Sequence, residues 1–238
     1  MHKVLEDLFD RPRESRTLEF ATGDLKRSFE SEFAEDPLAR FAVDSGLHWP
    51  DDAADASEAS IAAFLEALPA FIERYFVIER PDTFDPTHRE HYLRGQLDED
   101  LWLHGYVDRI DIAPTGDVRI VDYKTGRSPG PRFQEKALFQ LKCYASLWAR
   151  THDVHVRRLM MLFLGDGERL TFDPSAKDIA HAEQSVREVW EEIKRANARA
   201  EWRPQPSKLC DWCSHQARCD AKGGTTPSFA PVPLEFPA

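Results

Sequence analysis

The sequence holds no run approaching the roughly 18 uninterrupted apolar residues that a membrane-spanning helix needs, so no membrane span is expected. Its first residues, Met1-His2-Lys3-Val4-Leu5-Glu6-Asp7, lack the apolar stretch of a secretory signal, and a cytoplasmic protein is expected. Cysteine is scarce, with four in 238 residues; in a cytoplasmic chain these are not expected to form disulfides. There is no internal repeat, and no Gly-x-x-x-x-Gly-Lys-(Ser/Thr) phosphate loop, so a nucleotide-driven motor would have to be a separate chain. Positive charge is also in short supply. With 42 acidic and 31 basic residues the formal charge is −11, which argues against a general electrostatic hold on nucleic acid. A net charge is only a sum, however. Acids gather in residues 30–36 and 51–58, whereas basic residues gather in residues 119–142, and a DNA site needs only a local basic lining.

The length suits one α/β domain with a proper core, or one domain with a small appendage. Val4, Leu5, Leu8 and Phe9 recur at helical spacing, so the chain opens inside a helix, with no capping residue before it. Residues 25–43 and 57–78 read as two further helices joined by the acidic segment 44–55. Ile61, Phe64, Leu65, Leu68, Phe71, Ile72 and Tyr75 form one apolar face of the second. The period then changes: residues 90–97, 101–112 and 117–124 read as antiparallel strands separated by turn-forming residues. A loop over 126–131, a helix over 133–150, a strand over 154–164 and a long helix over 175–201 follow.

In Val118-Arg119-Ile120-Val121-Asp122-Tyr123-Lys124, residues two apart share a face of the sheet. An apolar stripe of Val118 and Ile120 therefore runs into Asp122 and Lys124. In the preceding strand Tyr106, Asp108 and Ile110 are expected to share a face likewise. Pairing through the turn at residues 113–116 would bring Asp108 close to Asp122. Two close carboxylates repel each other, and a divalent cation resolves the conflict. Such an ion, Mg²⁺ or Mn²⁺, polarises a phosphate and acidifies a bound water, while a lysine offsets charge in the transition state. Taken alone, Asp-x-Lys also fits a solvated hairpin held by weak ion pairs.

The surroundings decide between these readings. Gly105-Tyr106-Val107-Asp108-Arg109-Ile110-Asp111, then Val121-Asp122-Tyr123-Lys124-Thr125-Gly126, then Gln140-Leu141-Lys142-Cys143-Tyr144-Ala145 resembles the ordered motif set of RecB-like nucleases, a branch of the PD-(D/E)XK superfamily. The resemblance runs from His2 to Cys219. It implies a restriction-endonuclease-like α/β core, a central mixed β-sheet flanked by helices. It further implies Asp108, Asp122 and the backbone carbonyl of Tyr123 as metal ligands, Lys124 as the catalytic lysine, and Gln140 and Tyr144 as residues lining the active centre. Glu90 resembles an accessory acid of the family, with an exposed strand glutamate as its plain alternative. His2, before Val4-Leu5-Glu6, matches an early-helix histidine that contributes to the metal site. The domain expectation is a nuclease domain over residues 1–203 (a helical segment over about 1–80 and a catalytic core over about 87–203), a cysteine segment over 204–222 and a flexible tail over 223–238.

Cys210-Asp211-Trp212-Cys213 followed by Cys219 spaces three thiols as C-x2-C-x5-C, a metal-ligand pattern. Within the resemblance these match three ligands of a [4Fe-4S] cluster whose fourth cysteine lies upstream of the early histidine. The sequence has no such cysteine, so an N-terminally truncated chain is expected, which re-reading the gene upstream would test. Zinc is the second reading, with His215 as a fourth ligand; Cys143 is read as a small core residue.

The function expected is a divalent-metal-dependent DNA nuclease, an exonuclease acting on DNA ends or single strands in repair or recombination, with or without a separate helicase subunit. The alternative is a non-catalytic or partner-dependent DNA-binding module that keeps the fold.

Overall fold

The computed structural model describes residues 1–32 and 58–234. The helix expected over residues 25–43 lies partly, and the acidic segment 44–55 wholly, outside the described residues. So do the side chains of Ile61, Phe64 and Leu65. The chain separates into two compact units, residues 1–97 with 102–183, and residues 98–101 with 184–238.

The first unit carries helices α1 (His2–Leu8), α2 (Leu18–Glu32) and α3 (Glu58–Ile78), followed by strands β1 (His88–Asp98), β2 (Leu101–Ile112) and β3 (Val118–Lys124). Helix α4 (Gln134–His152), strands β4 (Val156–Phe163) and β5 (Glu168–Phe172) and the start of α5 (Ala176–Arg199) complete it. The strands form one mixed sheet in the order β1-β2-β3-β4-β5, flanked by helices as expected. Gly116, at φ 87, allows the tight turn that joins β2 to β3 antiparallel. The parallel pairing of β3 with β4 needs a crossover, and α4 supplies it. Strand β5 escaped the sequence reading because Glu168-Arg169-Leu170-Thr171-Phe172 is mostly polar and exposed. It pairs with β4 at the sheet edge after Gly167 turns at φ 75.

Alternation along β3 separates two cores. Val118 and Ile120 pack with Leu138, Leu141, Ala145 and Trp148 of α4. Val121 and Tyr123 pack with Val4, Leu5 and Leu8 of α1 and with Leu68, Ile72 and Tyr75 of α3. Asp122 and Lys124 thus continue the face turned to α4, as the period-2 pattern predicts.

On β2 the same argument fails. Val107 and Ile110, three apart, belong to one core cluster, whereas Tyr106 is 60% exposed and rests on Tyr92. Tyr106 and Ile110 therefore do not share a face with one another. Strand β1 switches too: His88 and His91 both lie against the Trp148 ring, and Glu90 between them has φ 43. The alternation therefore breaks within each strand, near Glu90 in β1 and between Val107 and Ile110 in β2, a break that strict pattern counting cannot register.

Between these layers lies a fully buried arginine. Arg109 clasps Glu79, just beyond α3, with both terminal nitrogens at 2.6 and 2.8 Å, donates to the Tyr123 hydroxyl at 2.7 Å, and lies 3.2 Å from Asp111. Its guanidinium also sits 4.9 Å from the Phe84 ring centroid. Removing one partner of such a pair strands the other in a low-dielectric interior. Arg109→Ala is expected to cost about 3–5 kcal/mol, and Arg109→Lys to restore little of it, since lysine cannot make the two-pronged contact. Urea denaturation checks this; a loss below about 1 kcal/mol would show that the network carries no more weight than a surface pair.

The second unit contains the hairpin tip, where Asp98 pairs with Arg187 and Asp100 with Lys194 at 2.9 and 2.8 Å. Short 3-10 turns over Lys208–Trp212, Gln216–Arg218 and Asp220–Lys222 carry the cysteines. Residues beyond them return to α5, where the Asn197 amide makes two hydrogen bonds with the Val232 backbone.

Candidate active site

The site forms around the backbone of one residue, Tyr123. Its side chain is held on one face of the sheet by Arg109. Its N–H donates to Asp108 Oδ2 at 2.7 Å, and its carbonyl accepts from His2 Nε2 at 3.0 Å. His2 Nδ1 stands 3.5 Å from Asp108 Oδ1. Helix α1 is pinned by buried Val4, Leu5 and Leu8, and Arg89 of β1 grips its far end through the Glu6 carbonyl and Asp10. That docking is what delivers His2 across 121 positions of sequence.

Glu90 completes the group. Among the described residues, one set of three or more His, Cys, Asp or Glu side chains brings its ligand atoms within 4.8 Å of one another: His2, Glu90 and Asp108. Of the four expected metal ligands, His2, Asp108 and the Tyr123 carbonyl are thereby brought together. Asp122 is adjacent, since Arg109 pairs with Val121 across the hairpin, but it is turned to Lys124. The lysine Nζ lies 2.8 Å from Asp122 Oδ2 and donates to Gln140 Oε1 at 3.2 Å; Gln140 Nε2 in turn donates to the Tyr144 hydroxyl at 3.0 Å. Gln140 and Tyr144, four apart on α4, thus present one helical face to Lys124.

Two residues of the site make sense only in three dimensions. A Cβ on Gly105 would lie 2.8 Å from the Tyr144 ring, so the glycine three before Asp108 gives Tyr144 its place. Glu90 adopts a left-handed conformation that costs a non-glycine residue about 1–2 kcal/mol, and this backbone sets the acid among its partners. Arg109, Glu79 and Gly105 were missed as site-shaping residues. Gly105 and Arg109 stand within the motif quoted above without a role of their own, and Glu79 lies outside it.

Electrostatically the site is short of positive charge. Burial pushes the Asp108 carboxyl up to about 6, with the negative charge of Asp122 adding and His2 opposing. Burial also raises Asp122, against the pull of Lys124.

A model of the PD-(D/E)XK nuclease superfamily matches residues 1–220 of this chain, and the chain belongs to that superfamily. Its mixed sheet with flanking helices is the restriction-endonuclease-like core that the motifs implied. It is also similar to the gene 69 protein of Mycobacterium phage L5, 27% identical over 120 residues. That match covers 49% of this chain and 39% of the phage protein, so the chain spans well under half of that relative.

Two stability comparisons in the absence of divalent ions probe this electrostatic and backbone strain. Because the folded carboxyl of Asp108 binds its proton more tightly than the unfolded one, stability falls as pH rises through the window ending near 6 and stays lower above it. Asp108→Asn is therefore expected to exceed the wild type by up to about 3 kcal/mol at pH 8, with the gain shrinking as pH falls below about 6 and vanishing only below about pH 3.5. Glu90→Gly is expected to exceed Glu90→Ala by about 1 kcal/mol, since only glycine accepts the positive φ freely. Thermal melts with matched buffers read both; a pH-independent difference, or an alanine variant equal to the glycine one, contradicts them.

Proposed function

We propose that this chain is a divalent-metal-dependent DNA nuclease, an exonuclease serving repair or recombination. The observation that carries the reading is the gathering of His2, Glu90 and Asp108 about the Tyr123 backbone, beside the linked side chains of Asp122, Lys124, Gln140 and Tyr144. Carboxylates, a carbonyl and an imidazole are the donor set of a hard divalent ion, and the raised Asp108 and Asp122 carboxyls mark negative charge that the protein leaves under-compensated. His2, Asp108, Asp122 and the Tyr123 carbonyl would hold Mg²⁺ or Mn²⁺, with Glu90 as the accessory acid. The ion, when bound, supplies Lewis acidity toward the phosphate and lowers the pKa of a water. Lys124, kept between Asp122 and Gln140, orients the attacking water and offsets charge building on the phosphate oxygens. Gln140 and Tyr144 line the active centre from the α4 side and hold Lys124 in place.

Cleavage of end-labelled linear and circular single-stranded DNA with Mg²⁺ or Mn²⁺ tests this. Wild type is expected to degrade linear strands and spare circles, and Lys124→Ala to lose about 100-fold or more of the rate. A well-folded wild type inert with both ions would leave the chain as a DNA-binding module that is non-catalytic or waits for a partner such as a helicase.

For the cysteine segment we infer a structural metal, a [4Fe-4S] cluster first and zinc second. Backbone N–H groups of Ser207 and His215 point at the sulfurs of Cys210 and Cys213, at 3.3 and 3.4 Å, an arrangement that supports a thiolate. The set is incomplete for a four-cysteine cluster. Cys143, the remaining cysteine, lies in α4 with its thiol pushed up to about 11 by burial, and among the described residues Cys210, Cys213 and Cys219 do not form a mutually close ligand group. Elemental analysis of anaerobically purified protein is expected to find iron with acid-labile sulfide, or else zinc; three freely titrating thiols and no metal would reject both.

A further inference from the structure

Away from the candidate metal site, the solvent side of the β1–β2 hairpin carries a strip of rings. Tyr106 is 60% exposed, Tyr92 46% and Trp102 37%. Tyr92 lies 5.1 Å from Tyr106 and 5.9 Å from His104 between ring centroids, and the Arg94 guanidinium sits 4.6 Å over the Trp102 ring. The opposite faces of these strands supply Leu93 and Val107 to the core, so the strip is the side that burial does not require. Polar residues would serve solubility there better than aromatic ones. Its position is informative. Tyr92 lies two residues beyond Glu90 and Tyr106 two before Asp108, about 7 Å along each strand, and Trp102 lies about 20 Å from Asp108.

We propose that Tyr106, Tyr92, His104, Trp102 and Arg94 form a base-stacking track that feeds single-stranded DNA toward the site at Asp108. This rests on the nuclease reading above and names its substrate form. A chain of charge −11 gains little from general attraction to phosphate. Stacking of bases on aromatic rings and arginine depends less on charge and tolerates any sequence. Duplex bases are already stacked on one another and cannot use such a track, which makes the strip a selector for unpaired strands. The switch of alternation at Glu90 and Asp108 separates its two roles: beyond the switch each strand offers rings to solvent, and at the switch it offers carboxylates to the ion.

The test uses the full chain with Tyr92→Ala, Trp102→Ala and Tyr106→Ala combined. Fluorescence anisotropy without divalent ions reads binding of a labelled oligothymidine and of a duplex. Hydrolysis of bis-p-nitrophenyl phosphate with Mn²⁺, a diester too small to need the track, reads the metal site separately. The combined variant is expected to bind oligothymidine at least about thirty-fold more weakly, with duplex binding and small-diester hydrolysis unchanged. Tyr92→Phe with Tyr106→Phe is expected to bind like wild type. Unchanged oligothymidine binding in the alanine variant overturns the track and leaves the strip to some other partner; equal losses for oligothymidine and duplex overturn it as well. A wild type that needs the strip for oligothymidine yet never hydrolyses the small diester supports the track and removes the catalytic reading alone.

Discussion

Much of this molecule hangs on the contact between Arg109 and Tyr123. The guanidinium is out of reach of water and ties the end of α3, through Glu79, to β2 and β3. With the tyrosine ring held on that face, the N–H and carbonyl of the same residue are fixed within the sheet, and Asp108 and His2 close on them. A buried charge of this kind contributes little net stability, but it makes alternative packings expensive. Here what it specifies is the position of one peptide group to within a hydrogen bond, and the candidate site is assembled on that peptide.

The acids are placed against their own preference. Asp108 and Asp122 share a poorly solvated pocket edge, and one lysine neutralises only the second. Glu90 is held there by a left-handed backbone conformation that a glutamate rarely adopts. Gly105 yields its Cβ so that Tyr144 can cover the same region. Cost concentrated in a few contiguous residues, within an otherwise well-packed sheet, is the usual signature of a functional site.

The parts of this arrangement that were legible in the sequence are those governed by local period. Val118, Ile120, Asp122 and Lys124 alternate as the pleat requires, and Gln140 and Tyr144 share a helical face at the spacing of one turn. The features that escaped are non-local or break the period. Glu79 and Arg109 lie 30 positions apart and nothing between them announces the pairing. The switches at Glu90 and Asp108 carry ordinary residues, so counting by twos runs straight through them and puts Tyr106 on the wrong side. Strand β5 lacks an apolar pattern because it needs only one neighbour and little core. His2 could be placed only through the resemblance to a family, since a seven-residue helix holds no local record of where it docks.

That last element has a consequence for how the molecule behaves in time. Helix α1 holds to the sheet through buried Val4, Leu5 and Leu8 and through the grip of Arg89 on the Glu6 carbonyl and Asp10, so any local loosening of that contact is felt at the site. Each excursion withdraws His2 from the Tyr123 carbonyl and uncovers that carbonyl to solvent. A ligand held jointly by His2, Glu90 and Asp108 would be thermodynamically linked to the helix: it tightens α1 by the same free energy by which α1 tightens it. The integrity of the site is then tied to the docking of α1, and amide hydrogen exchange in α1 becomes a gauge of occupancy at a centre the helix touches through His2.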